Sequence, residues 1–222
     1  MKIGIIRLHR WVTAGTFVYD KLAEFVDGLF FCYNDLCSDA LFHMAANHSQ
    51  TIDMRKDSTD WKSNSHLSSG HLSLQRCMRW ADEIKPSVVY IFDEDQAPPD
   101  RMQDEFIKWM HSGKDAVCFK WVWCWDDVDT IITERPCPCG WFAQGYKWRP
   151  GISDIMPISG DYLPGLSRYK CRYPGRNLGV MNEQIRDWRT QKKMGWWLNE
   201  PFQTGPYDPD LTVKDMYSLW PK

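Results

Sequence analysis

Two hydrophobic rhythms run along this chain, and the switches between them predict its elements. Lys2 to Leu8 is a short apolar run rich in Ile, the pattern of a strand buried on both faces. After Thr13-Ala14-Gly15-Thr16, residues Val18, Leu22, Phe25, Val26 and Leu29 recur at helical spacing, so a helix packs back on that strand. Asp27-Gly28 ends the helix, and Leu29 to Tyr33 is a second strand. The polar run Asn34-Asp35-Leu36-Cys37-Ser38-Asp39 suits capping of a short helix over Ala40 to Ala46. Residues 47–73 are polar and read as a loop or lid, with a short strand at Thr51 to Met54. Leu74, Cys77, Met78, Ala81 and Ile84 give a helix that Lys85-Pro86 stops. Val88 to Phe92 is the clearest strand. Pro98-Pro99-Asp100 then opens a helix with Met102, Phe106, Trp109 and Met110 on one face. Ala116 to Trp125 reads as one long apolar strand.

Such alternation predicts an α/β fold, a mostly parallel central sheet flanked by helices. After Asp126 the regularity fades, and Gly, Pro, Trp and Tyr dominate as far as Gly179. A helix over Val180 to Met194 follows. The tail from Glu200, with Pro201, Pro206, Pro209 and Pro221, reads as an extended wrap. A single domain spans 1–222, divided into 1–125, an irregular Trp- and Pro-rich half over 126–199, and the tail 200–222. At 222 residues the core needs no metal or disulfide staple.

Composition narrows the classes. No run of about 20 apolar residues occurs, so no membrane helix is expected. The N-terminal apolar run is too short for a signal peptide, so the cytoplasm is the expected compartment and the eight cysteines are expected as thiols. There is no CxxC pair; the close pair Cys137-Pro138-Cys139 reads as two thiols in a Pro-rich loop. The pairs His43/His48 and His66/His71 are spaced i, i+5, which suits no helix face, and read as loop residues. Net charge is −2, but residues 168–193 carry +6, from Arg168, Lys170, Arg172, Arg176, Arg186, Arg189, Lys192 and Lys193 against Glu183 and Asp187. That asymmetry points either to a phosphate or polyanion or to a solvated helix face. Tyr169, Tyr173 and Trp188 interleave with the cations, which suits nucleic acid.

The candidate chemistry lies in Asp93-Glu94-Asp95, directly after the clearest strand. Ligands of open α/β sheets bind at the carboxyl ends of the strands. In an extended chain Asp93 and Asp95 share a face, and two such carboxylates attract a hard cation, Mg²⁺ or Mn²⁺, that completes its shell with water and phosphates. The inert reading is an acidic loop. Thirteen tryptophans stand out. Trp121, Trp123 and Trp125 alternate at period two and offer flat faces for a sugar, as do Trp141, Trp148, Trp196 and Trp197. Trp80 and Trp109 fall beside core positions of helices.

The order of these segments resembles the GT-A-type glycosyltransferases, above all the large inverting family that uses nucleotide sugars. Asn34-Asp35-Leu36-Cys37-Ser38-Asp39 is similar to that family's strand-two loop, Ile91-Phe92-Asp93-Glu94-Asp95 with Pro98-Pro99 to its DxD strand, and Asn177-Leu178-Gly179-Val180-Met181 to a late segment that often begins with a metal-binding His. The resemblance covers roughly residues 1–195 and implies a nucleotide-diphospho-sugar donor and Mn²⁺ or Mg²⁺. It implies that Asp93 faces ribose or metal, that Asp95 ligates the metal, and that Asp35 or Asp39 lies near the base, with Arg7 and His9 bordering the pocket. Asn177 stands where the family often has His, a ligand without charge. Arg172 and Arg176, with Arg168 and Lys170, would close over the diphosphate. Inversion needs a base for the acceptor hydroxyl; Asp127 leads, then Asp126, with Asp154 and Asp161 further on. The acceptor is a glycan or DNA, the latter as an extruded base. Two rivals remain: a non-catalytic carbohydrate- or nucleic-acid-binding module, and a nucleotidyltransferase, which lacks a Gly-rich loop after strand one.

Overall fold

The computed structural model describes residues 1–9, 16–59, 66–133, 141–155, 157, 163–179, 181, 186–187 and 202–218. From the N-terminus the elements are β1 (Lys2–Leu8), α1 (Phe17–Ala23), β2 (Gly28–Tyr33), α2 (Asp39–Ala46), β3 (Thr51–Lys56) and α3 (His66–Ile84). Then come β4 (Val88–Asp93), β5 (Gln96–Ala97), α4 (Met102–His111), β6 (Ala116–Phe119), β7 (Trp121–Trp123), β8 (Thr130–Ile132) and β9 (Phe142–Lys147). A 3-10 turn (Ile152–Asp154), β10 (Arg168–Lys170), β11 (Gly175–Asn177), β12 (Thr204–Pro206) and α5 (Val213–Ser218) complete the described chain.

Seven strands form the main sheet in the order β10-β6-β9-β4-β1-β2-β3. All run parallel except β9, which is antiparallel to both β4 and β6. This is the mostly parallel α/β sheet that the alternation of periods predicts. Period-two alternation sends Ile3, Ile5, Val89 and Ile91 to one face, under Leu74, Cys77, Met78 and Ala81 of α3. Ile6, Leu8, Tyr90 and Phe92 go to the other, under Val18, Tyr19 and Leu22 of α1 and Trp109 of α4. Gly145 lets β9 fit between its neighbours: a Cβ there would lie 2.6 Å from the Tyr90 ring and 2.7 Å from Val117.

Four expectations change. The long strand over Ala116 to Trp125 divides at Lys120, because the backbone exchanges partners there. The Cys118 carbonyl accepts from Cys171 N–H (2.9 Å), whereas the Lys120 carbonyl accepts from Gly175 N–H (2.9 Å). β7 thereby leaves the main sheet for a second, three-stranded one, β5-β11-β7. Trp121 and Trp123, 1% and 7% exposed, are core residues under that sheet, not a sugar platform. Trp148, whose Nε1 donates to Asp82 Oδ1 at 2.6 Å, ties β9 to α3. Within residues 47–73 the short strand expected at Thr51 to Met54 is present as β3, which runs on to Lys56 and pairs with β2 at the sheet margin, but α3 already begins at His66. The tail is not wholly extended either, since β12 pairs with β8 and α5 buries Val213 and Met216.

Trp80 and Trp109 do pack in the core. The six described cysteines are unbridged. Cys137-Pro138-Cys139, Asp161, Trp188, Trp196, Trp197 and most of the helix expected over 180–194 lie outside the described residues. No described helix is long and apolar enough to cross a membrane.

Candidate active site

The parallel strands end at one rim, and their register sets a polar row along it. Arg7 pairs with Cys32 of β2 on one side and Asp93 of β4 on the other. Arg7 is 3% exposed, and its Nε lies 2.7 Å from Asp93 Oδ1 in an ion pair. His9, just past β1, bridges two strands: its Nε2 lies 3.1 Å from the same Asp93 oxygen and its Nδ1 3.0 Å from the Asn34 amide nitrogen. Asn34 Oδ1 accepts from Leu36 N–H at 2.8 Å, which fixes the loop after β2.

This packing sets the charges. Burial opposes an ionised Asp93, but the Arg7 guanidinium and His9 outweigh it and hold the carboxyl well below the usual range. Burial likewise opposes a charged His9, yet Glu94 and Asp93 push it up to about 9. Burial raises the Glu94 carboxyl to about 7, against the pull of His9. Two adjacent carboxyls are thus driven in opposite directions, a pattern that separates acid from base roles. The triplet made Glu94 visible in the sequence; its burial was not.

Asp95 and Asn177 come together through the second sheet. β11 pairs antiparallel with β5, setting Asn177 opposite Gln96, and Leu178 N–H donates to the Asp95 carbonyl at 2.6 Å. Asn177 Oδ1 accepts from Gly179 N–H at 2.9 Å, so its side chain also shapes the turn. Asp93, Asp95 and Asn177 therefore share one end of the fold. Among the described residues no group of three or more His, Cys, Asp or Glu is placed to hold a metal. Two carboxylates fit a hard cation that shares its shell with phosphates, not an all-protein cage.

The other sequence candidates spread around this rim. Asp35 is exposed and pairs with Lys56 at 2.6 Å. Asp39 opens α2 and is exposed, while Ser38 Oγ caps that helix through Leu41 N–H at 3.3 Å. Asp126 and Asp127 form the β7–β8 turn. Asp126 takes the left-handed conformation (φ 64°) and meets Arg186 at 3.0 Å. Asp127 accepts from Asp129 N–H at 2.9 Å, and hydrogen bonds from Thr130 and Asp129 hold its carboxyl below the usual range. The turn is tied to the site because Cys124 N–H donates to the Asn177 carbonyl at 2.9 Å. Asp154 lies beyond the carboxyl end of β9, at the opposite rim.

Arg172 is exposed, its guanidinium 5.6 Å from the Tyr173 ring centroid. Arg176 lies on β11 rather than on a closing loop, and is 3% exposed. It grips Asp100 through both oxygens (2.9 and 3.0 Å) and stacks between Phe17 and Tyr207. Charge alone marked it for phosphate; burial makes it a clamp between β11 and the start of α4.

At the end of β3, on the same rim, Asp57 is 3% exposed. It accepts from Thr59 N–H (2.9 Å), Thr59 Oγ1 (2.6 Å) and Arg76 Nη1 (2.6 Å). Burial raises its carboxyl, but bonds from Thr59, Ser73 and Arg76 outweigh this and lower it. A lowered folded-state value gives stability that is present above the unfolded value, about 3.9, and lost as pH falls. Asp57→Asn is therefore expected to melt below wild type at pH 7, with a smaller gap at about pH 3, below the unfolded value. Melting curves at both pH values check this, and a constant gap would contradict it.

No family model matches the chain, and no curated protein matches it. Among solved structures, a protein described as a nucleotide-diphospho-sugar transferase from Desulfovibrio desulfuricans is 12% identical (TM-score 0.45), over 98% of this chain and 93% of that one. Rv0371C from Mycobacterium tuberculosis, in complex with manganese, is 10% identical (TM-score 0.49), over 87% and 96%. Bifunctional IspDF from Campylobacter jejuni is 9% identical (TM-score 0.46) over 77% of this chain, which spans about half of that protein's length.

Proposed function

We propose that this protein is a metal-dependent glycosyltransferase that moves a sugar from a nucleotide-diphosphate donor to a hydroxyl acceptor. One observation carries the reading. Asp93 is kept ionised by Arg7 and His9 at the carboxyl rim of a parallel sheet, and a second sheet brings Asp95 and Asn177 to the same end. Mg²⁺ or Mn²⁺ held at Asp93 and Asp95 would neutralise charge on the leaving diphosphate. Arg7 and His9 orient the Asp93 carboxylate and keep it unprotonated. Asp35 and Asp39 stand on the nucleotide side, after β2. Asp127, ionised at neutral pH, and Asp126 stand on the acceptor side, where a base would take the hydroxyl proton. Arg172 is an exposed cation of the basic segment and is available to a phosphate.

A thermal-shift panel of nucleotide sugars with Mn²⁺ or EDTA, read beside product release, tests the proposal. The expected result is stabilisation that needs Mn²⁺, release of nucleoside diphosphate, and loss of both in Asp95→Ala. Pyrophosphate release would instead indicate nucleotidyl transfer. Ligand binding indifferent to EDTA, without turnover, would make the chain a binding module. Full activity in Asp95→Ala would sink the assignment.

A further inference from the structure

The rim continues past Asp93 into a second surface of different chemistry. β9 begins at this rim because it runs against its neighbours, and β6 and β10 end there. Trp141 immediately precedes β9, Lys120 immediately follows β6, and Lys170 is the last residue of β10. These residues make an alternating row. Lys170 Nζ lies 5.4 Å from the Trp141 ring centroid, Lys120 Nζ lies 5.9 Å from the same ring, and Lys120 Nζ is 5.7 Å from the Tyr217 ring of α5. Lys170 is exposed and Tyr217 is 49% exposed. Among the described residues no carboxylate pairs with Lys170. Arg168, also exposed, stands two residues earlier on β10, the outermost strand of the sheet.

We propose that Lys170, Trp141, Lys120 and Tyr217 form a docking surface for single-stranded nucleic acid. Cation, ring, cation and ring follow one another as phosphate and base do along a strand. Ammonium groups take the phosphates, and aromatic faces take unstacked bases of any sequence. An acidic polysaccharide matches the cations but brings no planar bases to the rings. The surface starts one strand from Asp93, so under the transferase reading it names the acceptor as a nucleic acid; the binding itself does not require that reading.

The test is fluorescence anisotropy of a labelled single-stranded oligonucleotide, without donor or metal, at several salt concentrations. Wild type is expected to bind with strong salt dependence. The double variant Lys120→Gln/Lys170→Gln is expected to lower the slope of log affinity on log salt by about 1.4, two phosphate contacts at about 0.7 each. Trp141→Ala is expected to weaken binding about tenfold, and Trp141→Phe, which keeps a ring, to retain most of it. Lys114→Gln, at the other end of β6, should bind as wild type, with melting temperatures as the folding control. Binding unchanged in the double variant overturns the proposal. So does a sulfated polysaccharide of equal charge that binds as tightly, with Trp141→Ala harmless to both ligands. Oligonucleotide binding without any sugar transfer would leave this surface standing and remove the transferase reading alone.

Discussion

Asp93→Ala is expected to cost at least about 100-fold in donor turnover, more than a supporting residue around a metal site typically does. It is also expected to cost about 3–5 kcal/mol of stability, because the buried Arg7 guanidinium loses its carboxylate. The two losses separate in a second variant. Arg7→Met combined with Asp93→Ala removes both charges together, so stability should largely return while turnover stays lost. Urea denaturation and nucleoside-diphosphate release, measured on the same preparations, give the two readouts. A stable and active Asp93→Ala would mean that the rim carboxylate serves neither the donor nor the fold.

The second large effect lies away from the chemistry. Asp100→Ala leaves Arg176, 3% exposed, without its bidentate partner, and also strips Lys21 of a 2.9 Å contact. A loss of about 3–5 kcal/mol is expected, seen as a lower urea midpoint with an unchanged slope. Arg176→Lys should be nearly as damaging. An ammonium cannot reach Asp100 and the Val128 carbonyl from two nitrogens at once, or lie flat between Phe17 and Tyr207. A loss below about 1 kcal/mol in Asp100→Ala would show that Asp129, 3.3 Å from Arg176, or water takes over the charge.

Much of the main sheet was legible because its signals are local. The apolar run at the start of the chain, the helical spacing after it and Pro86 after α3 all act within a few residues. The division at Lys120 was not legible, because residues 116–125 are apolar apart from that one lysine and only the arrival of β10 and β11 decides which partner each half takes. The same blindness misassigned Trp121 and Trp123: period two shows that they share a side, but not that a sheet covers it. At the site, the acidic triplet was found from its place after a strand. Its partner Arg7 was assigned only to the pocket border, since the Arg7–Asp93 bond follows from strand register. Arg176 was grouped with exposed cations because composition counts charge without seeing burial.

The one antiparallel strand of the main sheet, β9, has a consequence for how the molecule forms. β9 sits between β4 and β6, so those two strands never touch. Everything through β8 leaves the ribosome before the strand that joins them. Until then the unsatisfied backbone groups of β4 lie open along one side, the kind of edge that invites pairing with other chains. The first 125 residues, though they hold the acidic triplet, are therefore not a nucleus that can finish alone. The halves must condense together through sequence-distant pairings, which makes folding slow and all-or-none and leaves the nascent first half exposed to misassociation.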